Sequence, residues 1–410
     1  LSDGRFDEVF RQVVLLLNGE GLVSLKVQYI DGTKIESVAN RYTFVWKGSV
    51  EKNKEKLEAK VDAVLRTAED VLAMEEAECA EEEPRVDDLT ERTERILNRM
   101  DEQGLSDRKL RRSVEKVRDE SIAKLEEYDS HLETLGERNS YSKTDEDATF
   151  MRMKEDAMRN GQTKPGYNVQ ISTENQFITN YGIYWRPTDW GTLIPFLESF
   201  KAKYGRQSGE IVADSGYGNE QNYAYMEGEG IDAYVKYNMF HAEARRKHRD
   251  NAFLPRNMYY NEECDFYVCP MGQRLERTGT WATVSELGYR SCVAVYSASR
   301  CTGCPLRCMC YKGKSERRVM EVNHRANALK RQARELLTGE RGLMHRSRRP
   351  IEPEAVFGDI KSNHGFKRFR LRSVRKVRVE FGLVALAHNL RKYSAMLSVM
   401  PADQGHAFAS

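Results

Sequence analysis

The sequence predicts a mixed α/β fold, and three observations carry that expectation. Residues Tyr167 to Asp214 read in the order strand, strand, helix, strand; a long helical stretch lies before them; a cysteine-rich stretch lies after them. Strands alternating with helices call for a sheet covered by helices. With 410 residues the chain can hold one large domain with insertions or two or three smaller ones. Its 40% hydrophobic and 31% charged residues exclude disorder throughout.

The first strands come from Leu25 to Ser37, where apolar and polar residues alternate around Asp31-Gly32. This pattern predicts two short strands joined by a tight turn, with Asp31 at the end of the first. From Glu51 to Leu135 the only proline is Pro84 and the only glycine Gly104, and Leu57, Val61, Val64, Leu65, Val71 and Leu72 recur at helical spacing. A helical insertion over 51–140 follows, structural in role or a dimerisation surface. Tyr167–Ser172 and Phe177–Trp185 read as strands, Gly191–Tyr204 as an amphipathic helix and Ile211–Asp214 as a buried strand. The turn Ser215–Gly218 then leads to a helix capped by Asn219 and running to about Met226. Asp214 is thereby placed at the carboxyl end of a buried strand, facing a crevice. Residues 238–316, rich in aromatics, glycine and cysteine, read as a small inserted module with strand-like pieces such as Trp281–Val284. Helices are expected at Glu321–Leu337, at Glu352–Asn363 with Pro353 in its first turn, and at Val379–Met396, with 399–410 as a tail. The main domain is thus assembled from 1–50, 141–237 and 317–398.

Charge is informative only in its distribution, since 65 basic and 63 acidic residues leave a net +2. His364 to Arg378 contains Lys367, Arg368, Arg370, Arg372, Arg375, Lys376 and Arg378 and no acid, and Arg341 to Arg349 is a second basic stretch. The acids concentrate in Glu75–Asp88. Such runs are commonly solvated faces; beside an acidic site they would hold a nucleic-acid backbone that the acids repel, and binding would weaken steeply with salt. No apolar run approaches the roughly 20 residues of a bilayer span. Leu1 to Phe10 carries no basic leader and no initiator methionine. A cytoplasmic protein without a membrane segment is expected.

Of eight cysteines, all but Cys79 lie between Cys264 and Cys310. Clustering without an export signal points to metal rather than disulfides. Cys301-x2-Cys304-x3-Cys308-x-Cys310, downstream of Cys264-x4-Cys269, suits a tetrahedral zinc site that staples a small module. Reduced thiols serving as small hydrophobes are the alternative.

Phosphoryl transfer with two divalent ions needs a few carboxylates brought from distant segments. Asp31, Asp214 and either Glu352 or Glu354 are the candidates, although each alone is equally compatible with a cap or turn. The surrounding residues resemble bacterial insertion-sequence DDE transposases in several places. Asp31-Gly-Thr-Lys-Ile-Glu36 with Asn40-Arg-Tyr-Thr-Phe-Val-Trp46 is similar to that family's first aspartate block, and Ala213-Asp-Ser-Gly-Tyr217 to its second. Glu352-Pro-Glu-Ala-Val-Phe-Gly-Asp-Ile-Lys361, followed by Gly365-Phe366 and Arg368-Phe369, resembles the glutamate block, and Ala387-His-Asn-Leu-Arg391 the closing helix.

The resemblance implies an RNase H-like mixed sheet flanked by helices, interrupted by a helical and a cysteine-rich insertion. It implies Asp31, Asp214 and Glu354 as the carboxylates for Mg²⁺ or Mn²⁺, and Lys361 on the face of Glu354 as a DNA contact. The family's tyrosine and arginine before the glutamate are not matched at their spacing, and Arg346 or Arg349 stand in their place. Lys367, Arg368, Arg370 and Arg372 would hold phosphates. Cys269, Cys301, Cys304 and either Cys308 or Cys310 would hold zinc. Double-stranded DNA, as transposon ends and target, is the implied partner, bound by a homodimer. Asp189 also matches a family segment; a helix N-cap is its preferred reading. A nuclease that cuts without joining, and a DNA-binding remnant without activity, are the alternatives.

Overall fold

The computed structural model describes residues 3–75, 88–104, 107–153 and 161–399. Cys79, residues 76–87 of the acidic run and the tail from 400 onward lie outside them. The chain divides into two compact units, Leu1–Ile35 with Tyr167–Ser410, and Glu36–Gly166. The chain opens with α1 (Asp3–Gly19) and β1 (Val27–Glu36).

The second unit holds β2 (Phe44–Trp46), the helices α2 (Lys47–Glu75), α3 (Leu89–Glu102), α4 (Arg108–Lys116) and α5 (Ile122–Leu135), and then β3 (Ser140–Ser142) and β4 (Thr149–Arg152). The apolar spacing that predicted helix here becomes its core: Val61, Leu65, Ala68 and Leu72 pack against Ile96, Leu97, Met100 and Val114. Asp88 and Asp107 cap α3 and α4 by accepting from free amides of the first turn.

The remaining elements are β5 (Thr163–Glu174), β6 (Phe177–Tyr184), α6 (Leu193–Tyr204), β7 (Glu210–Ala213), α7 (Glu220–Gly228) and β8 (Asp232–Val235), followed by the short turns α8 (Phe240–Ala244) and α9 (Arg246–Arg249). Then come β9 (Tyr259–Asn261), β10 (Phe266–Val268), β11 (Arg274–Val284), β12 (Arg290–Ala298), α10 (Arg307–Cys310), β13 (Val319–Val322), α11 (His324–Thr338), α12 (Glu340–Arg348), α13 (Pro353–Gly358) and α14 (Val374–Val399).

In the first unit the strands run in the order β6-β5-β1-β7-β8. β1 with β7 and β7 with β8 are parallel, whereas β5 and β6 form an antiparallel hairpin. Its two-residue turn, Asn175-Gln176, takes positive φ at both positions, the geometry that matches strand twist. Ile211 and Val212 are buried between layers with Tyr29, Ile30, Phe196, Leu197 and Leu329, which is why β7 reads as a continuous apolar run. A separate antiparallel sheet of five strands, in the order β13-β12-β11-β10-β9, is built around Tyr267, Leu275, Tyr296 and Met320.

Three expectations are corrected here. Asp31-Gly32 makes no turn: β1 is one continuous strand, and Gly32 is required because a Cβ there would lie 2.1 Å from Gln170 Nε2 and 2.8 Å from Asp189 Oδ1. The helix expected over Glu352–Asn363 is α13 followed by a π-turn, Asp359–Asn363. Glu321 lies in β13, and α11 begins only after Asn323, whose side chain caps it. Among the described residues, no helix is long and apolar enough to cross a membrane.

Candidate active site

Parallel pairing of β1 and β7 brings the first two acids together. Tyr29 is in register with Val212, so Asp31 and Asp214 each lie two residues beyond that pair, Asp31 within β1 and Asp214 directly after β7. Glu354 arrives from the first turn of α13. The three carboxylates meet at Arg349, in the 3-10 turn Arg349–Ile351 that precedes α13. Its Nη1 donates to Glu354 Oε1 at 2.8 Å, and its Nη2 donates to Asp31 Oδ1 at 3.2 Å and lies 3.7 Å from Asp214 Oδ2. The Asp31 and Arg349 side chains are 10% and 14% exposed, while those of Asp214 and Glu354 are 39% and 48% exposed, so the site is closed on one side and open to a ligand on the other.

Beneath these acids lies a polar floor that sequence reasoning missed. Tyr217, fully buried, donates its hydroxyl to Gln170 Oε1. Gln170 and Asn168 both donate to Asp189 Oδ1, at 2.9 and 2.8 Å. A Cβ on Gly216 would lie 3.0 Å from Asp214 Oδ1 and 3.7 Å from Asp189 Oδ2, so the Asp189 carboxylate spans the glycines that follow Asp31 and Asp214. Burial pushes the Tyr217 hydroxyl far above its ordinary pKa, and the negative charges of Asp189, Asp31 and Asp214 push in the same direction. The N-cap reading of Asp189 is thereby replaced: Thr192 precedes α6, and Asp189 contributes only its backbone carbonyl there, accepting from Thr192 N at 3.0 Å.

Lys236 is a second missed residue. It follows β8 directly, one position beyond the Ala213–Val235 pair, and so stands beside Asp214. Burial lowers its pKa, as do Arg346 and Arg349, while Asp214 and Glu354 oppose the shift. An isolated lysine after an unrecognised strand gave no signal in the sequence.

Glu352 is separated from the site. It is 5% exposed, and its Oε2 accepts from Gln176 N at 2.8 Å and Thr173 Oγ1 at 3.1 Å. It therefore fastens the segment before Glu354 to the β5–β6 turn, and burial raises its pKa. Lys361 is likewise not on an open face: it is buried in the π-turn, with Nζ donating to Lys34 O at 3.2 Å. The wider π-turn breaks the helical register on which the shared face with Glu354 rested. Arg346 stacks on Phe240 at 5.4 Å, and Lys367, Arg368, Arg370 and Arg372 are exposed. Phe369 between them is no stacking platform, being buried against Tyr167 and Phe366 to anchor the basic loop.

Cys269, Cys301, Cys304 and Cys310 line one cavity of about 30 Å³, together with Leu306 and Arg318. Arg318 Nη1 donates to Cys310 Sγ at 2.9 Å. Cys264, Cys292 and Cys308 are exposed, and none of the three lines this cavity.

Among the described residues no three His, Cys, Asp or Glu side chains stand together closely enough to hold an ion. The donor kinds fit nevertheless: three carboxylates gathered on a single positive charge suit a hard divalent cation, and four thiols on a small cavity suit zinc. Each cluster also holds a guanidinium: Arg349 lies among the three carboxylates, and Arg318 bonds one of the four thiols, Cys310.

Residues 268–394, roughly a third of the chain, match the family model described as transposase DDE domain. This bears out, over that segment, the resemblance to DDE transposases drawn from the motifs. The segment contains the four cavity cysteines, Arg349 and Glu354, whereas Asp31 and Asp214 lie before it. No curated protein and no solved structure matches the chain.

Proposed function

We propose that this chain is a transposase with an RNase H-like catalytic domain that cuts DNA strands and joins the freed 3′ ends to a target. One observation carries the reading: three acids from separate segments, Asp31 within β1, Asp214 at the carboxyl end of its parallel neighbour β7, and Glu354, meet around one cation. Crevices at such strand ends are where α/β sheets bind ligands. The order β6-β5-β1-β7-β8, with one antiparallel hairpin and parallel β1, β7 and β8, supports the RNase H-like assignment.

Asp31, Asp214 and Glu354 would hold Mg²⁺ or Mn²⁺, which when bound supply charge stabilisation at the scissile phosphate and activate the attacking oxygen. Asp189, held by Asn168 and Gln170, lies close beside Gly32 and Gly216, the glycines that follow Asp31 and Asp214. The half-exposed acids leave the outer face open to a phosphodiester. Arg346, Lys236 and the exposed Lys367, Arg368, Arg370 and Arg372 would neutralise the backbone that the acids repel. Double-stranded DNA, as transposon ends and target, is the substrate, engaged by a homodimer on the bacterial nucleoid. Cys269, Cys301, Cys304 and Cys310 would hold a structural zinc that staples the sheet β9–β13 to its neighbouring loop.

The reading is tested with purified protein and labelled DNA taken from either side of its own gene. Nicking that requires Mg²⁺ or Mn²⁺ and stops in chelator is expected. Nicking that persists in chelator overturns it.

A further inference from the structure

Arg349 contacts all three acids, and its own bonding is incomplete. Its Nη1 and Nη2 are engaged by Glu354 and Asp31, but its Nε is buried and meets no acceptor among the described residues. A buried donor without an acceptor is costly, and a guanidinium spreads one charge over a plane where three carboxylates converge. The arrangement relieves repulsion among the acids without satisfying the arginine.

We infer that Arg349 is a built-in placeholder cation: it positions Asp31, Asp214 and Glu354 before metal arrives, and it competes with divalent ions for them. This inference rests on the metal-dependent reading above. A divalent ion among the same oxygens carries twice the charge of the guanidinium, and the two cations repel at this range. Loading therefore requires the Arg349 side chain to leave. Its backbone stays in place, fixed by the 3-10 turn and by Pro350, so the movement belongs to the side chain. Once out, the planar fork with its unused Nε is free to take a phosphate oxygen pair, which suits Arg better than Lys. Metal entry and phosphate capture are in this way coupled through one residue, five positions before Glu354.

The test is Mn²⁺ affinity of the DNA-free full chain, measured by calorimetry and by the electron spin resonance signal of free Mn²⁺. Thiols do not compete for this hard ion. Arg349→Gln is expected to bind Mn²⁺ about tenfold tighter than the wild type, the scale of removing one charge beside an ion. Arg349→Lys, which keeps the charge, is expected to stay near the wild type. Arg349→Met, which keeps the aliphatic stem, makes the same comparison should Arg349→Gln fail to fold without metal. Equal or weaker binding by the neutral variants overturns the placeholder role while leaving the metal-dependent reading intact. If neither the wild type nor any variant binds Mn²⁺, the reading itself falls, and this inference with it.

Discussion

Glu352 and Glu354 lie two residues apart yet belong to different structures. Glu352 is buried and accepts from the β5–β6 turn at Gln176 N and Thr173 Oγ1, whereas Glu354 is half exposed and bound to Arg349 beside Asp31. The intervening Pro353 starts α13 and sends the two side chains apart. Glu354→Gln should therefore reduce strand cleavage by more than about a hundredfold, beyond the loss seen for partners that only support metal ligands. Glu352→Gln should cleave normally, because an amide oxygen still accepts both bonds. Glu352→Ala should lose about 1–3 kcal/mol of stability by orphaning Gln176 N. Cleavage assays and denaturant melts of the three variants decide this, and an active Glu354→Gln enzyme would remove Glu354 from the chemistry.

Gly32 predicts a packing cost. A methyl group there would meet Gln170 Nε2 and Asp189 Oδ1 within van der Waals contact and displace the floor under Asp31. Gly32→Ala should lose about 1–3 kcal/mol, the usual range for overpacking. A thermal melt equal to that of the wild type would show that the floor yields freely.

The four cavity thiols predict about one zinc per chain on elemental analysis. Cys304→Ser should lose it, whereas Cys308→Ser, Cys264→Ser and Cys292→Ser should keep it, since these three thiols are exposed and lie away from the cavity. Metal-free protein after purification without chelator, or equal loss in Cys308→Ser, would refute the assignment.

Acid should loosen the base of the sheet. His345 Nδ1 bonds the Tyr29 hydroxyl at 2.8 Å, and its Nε2 bonds Glu210 at 2.9 Å. Burial lowers its pKa, with Glu210 opposing. Its folded value thus lies below the unfolded value of about 6.5. The unfolded chain takes up the proton first, so the stability this residue contributes is present above that value and is lost as pH falls through the folded value. Glu352, with a raised pKa, acts in the opposite sense: its contribution is present below the unfolded glutamate value of about 4.3 and is lost as pH rises through its folded value. Melting temperature followed from pH 7.5 to 5 should fall in the wild type and fall less in His345→Gln, and identical slopes would show that His345 does not titrate on unfolding.

Much of this was legible in the sequence, for local reasons. The apolar run Ile211-Val-Ala gave β7 and placed Asp214 at its end, the spacing of Val61, Leu65 and Leu72 gave α2, and Asn219 gave the start of α7. What escaped depends on contacts between distant segments. Asp-Gly within an alternating stretch is a turn signal, and only the approach of Gln170 and Asp189 makes Gly32 a strand residue. Asp189 resembles a cap until its carboxylate is seen facing Asn168 and Gln170. Cys308 and Cys310 are equivalent in spacing, and the turn of α10 is what directs one toward the cavity and the other outward. Lys361 kept its family spacing, yet the π-turn buries it.

The most direct test of the account is joining, not cutting. Purified wild type and Asp214→Asn are incubated with Mg²⁺, DNA ends from the flanks of the gene labelled at the 3′ strand, and a circular target. Label appearing covalently in the target with the wild type and absent with Asp214→Asn is the predicted result. Label that stays in cleaved ends, or that joins equally well with Asp214→Asn, would contradict the claim that these acids perform strand transfer.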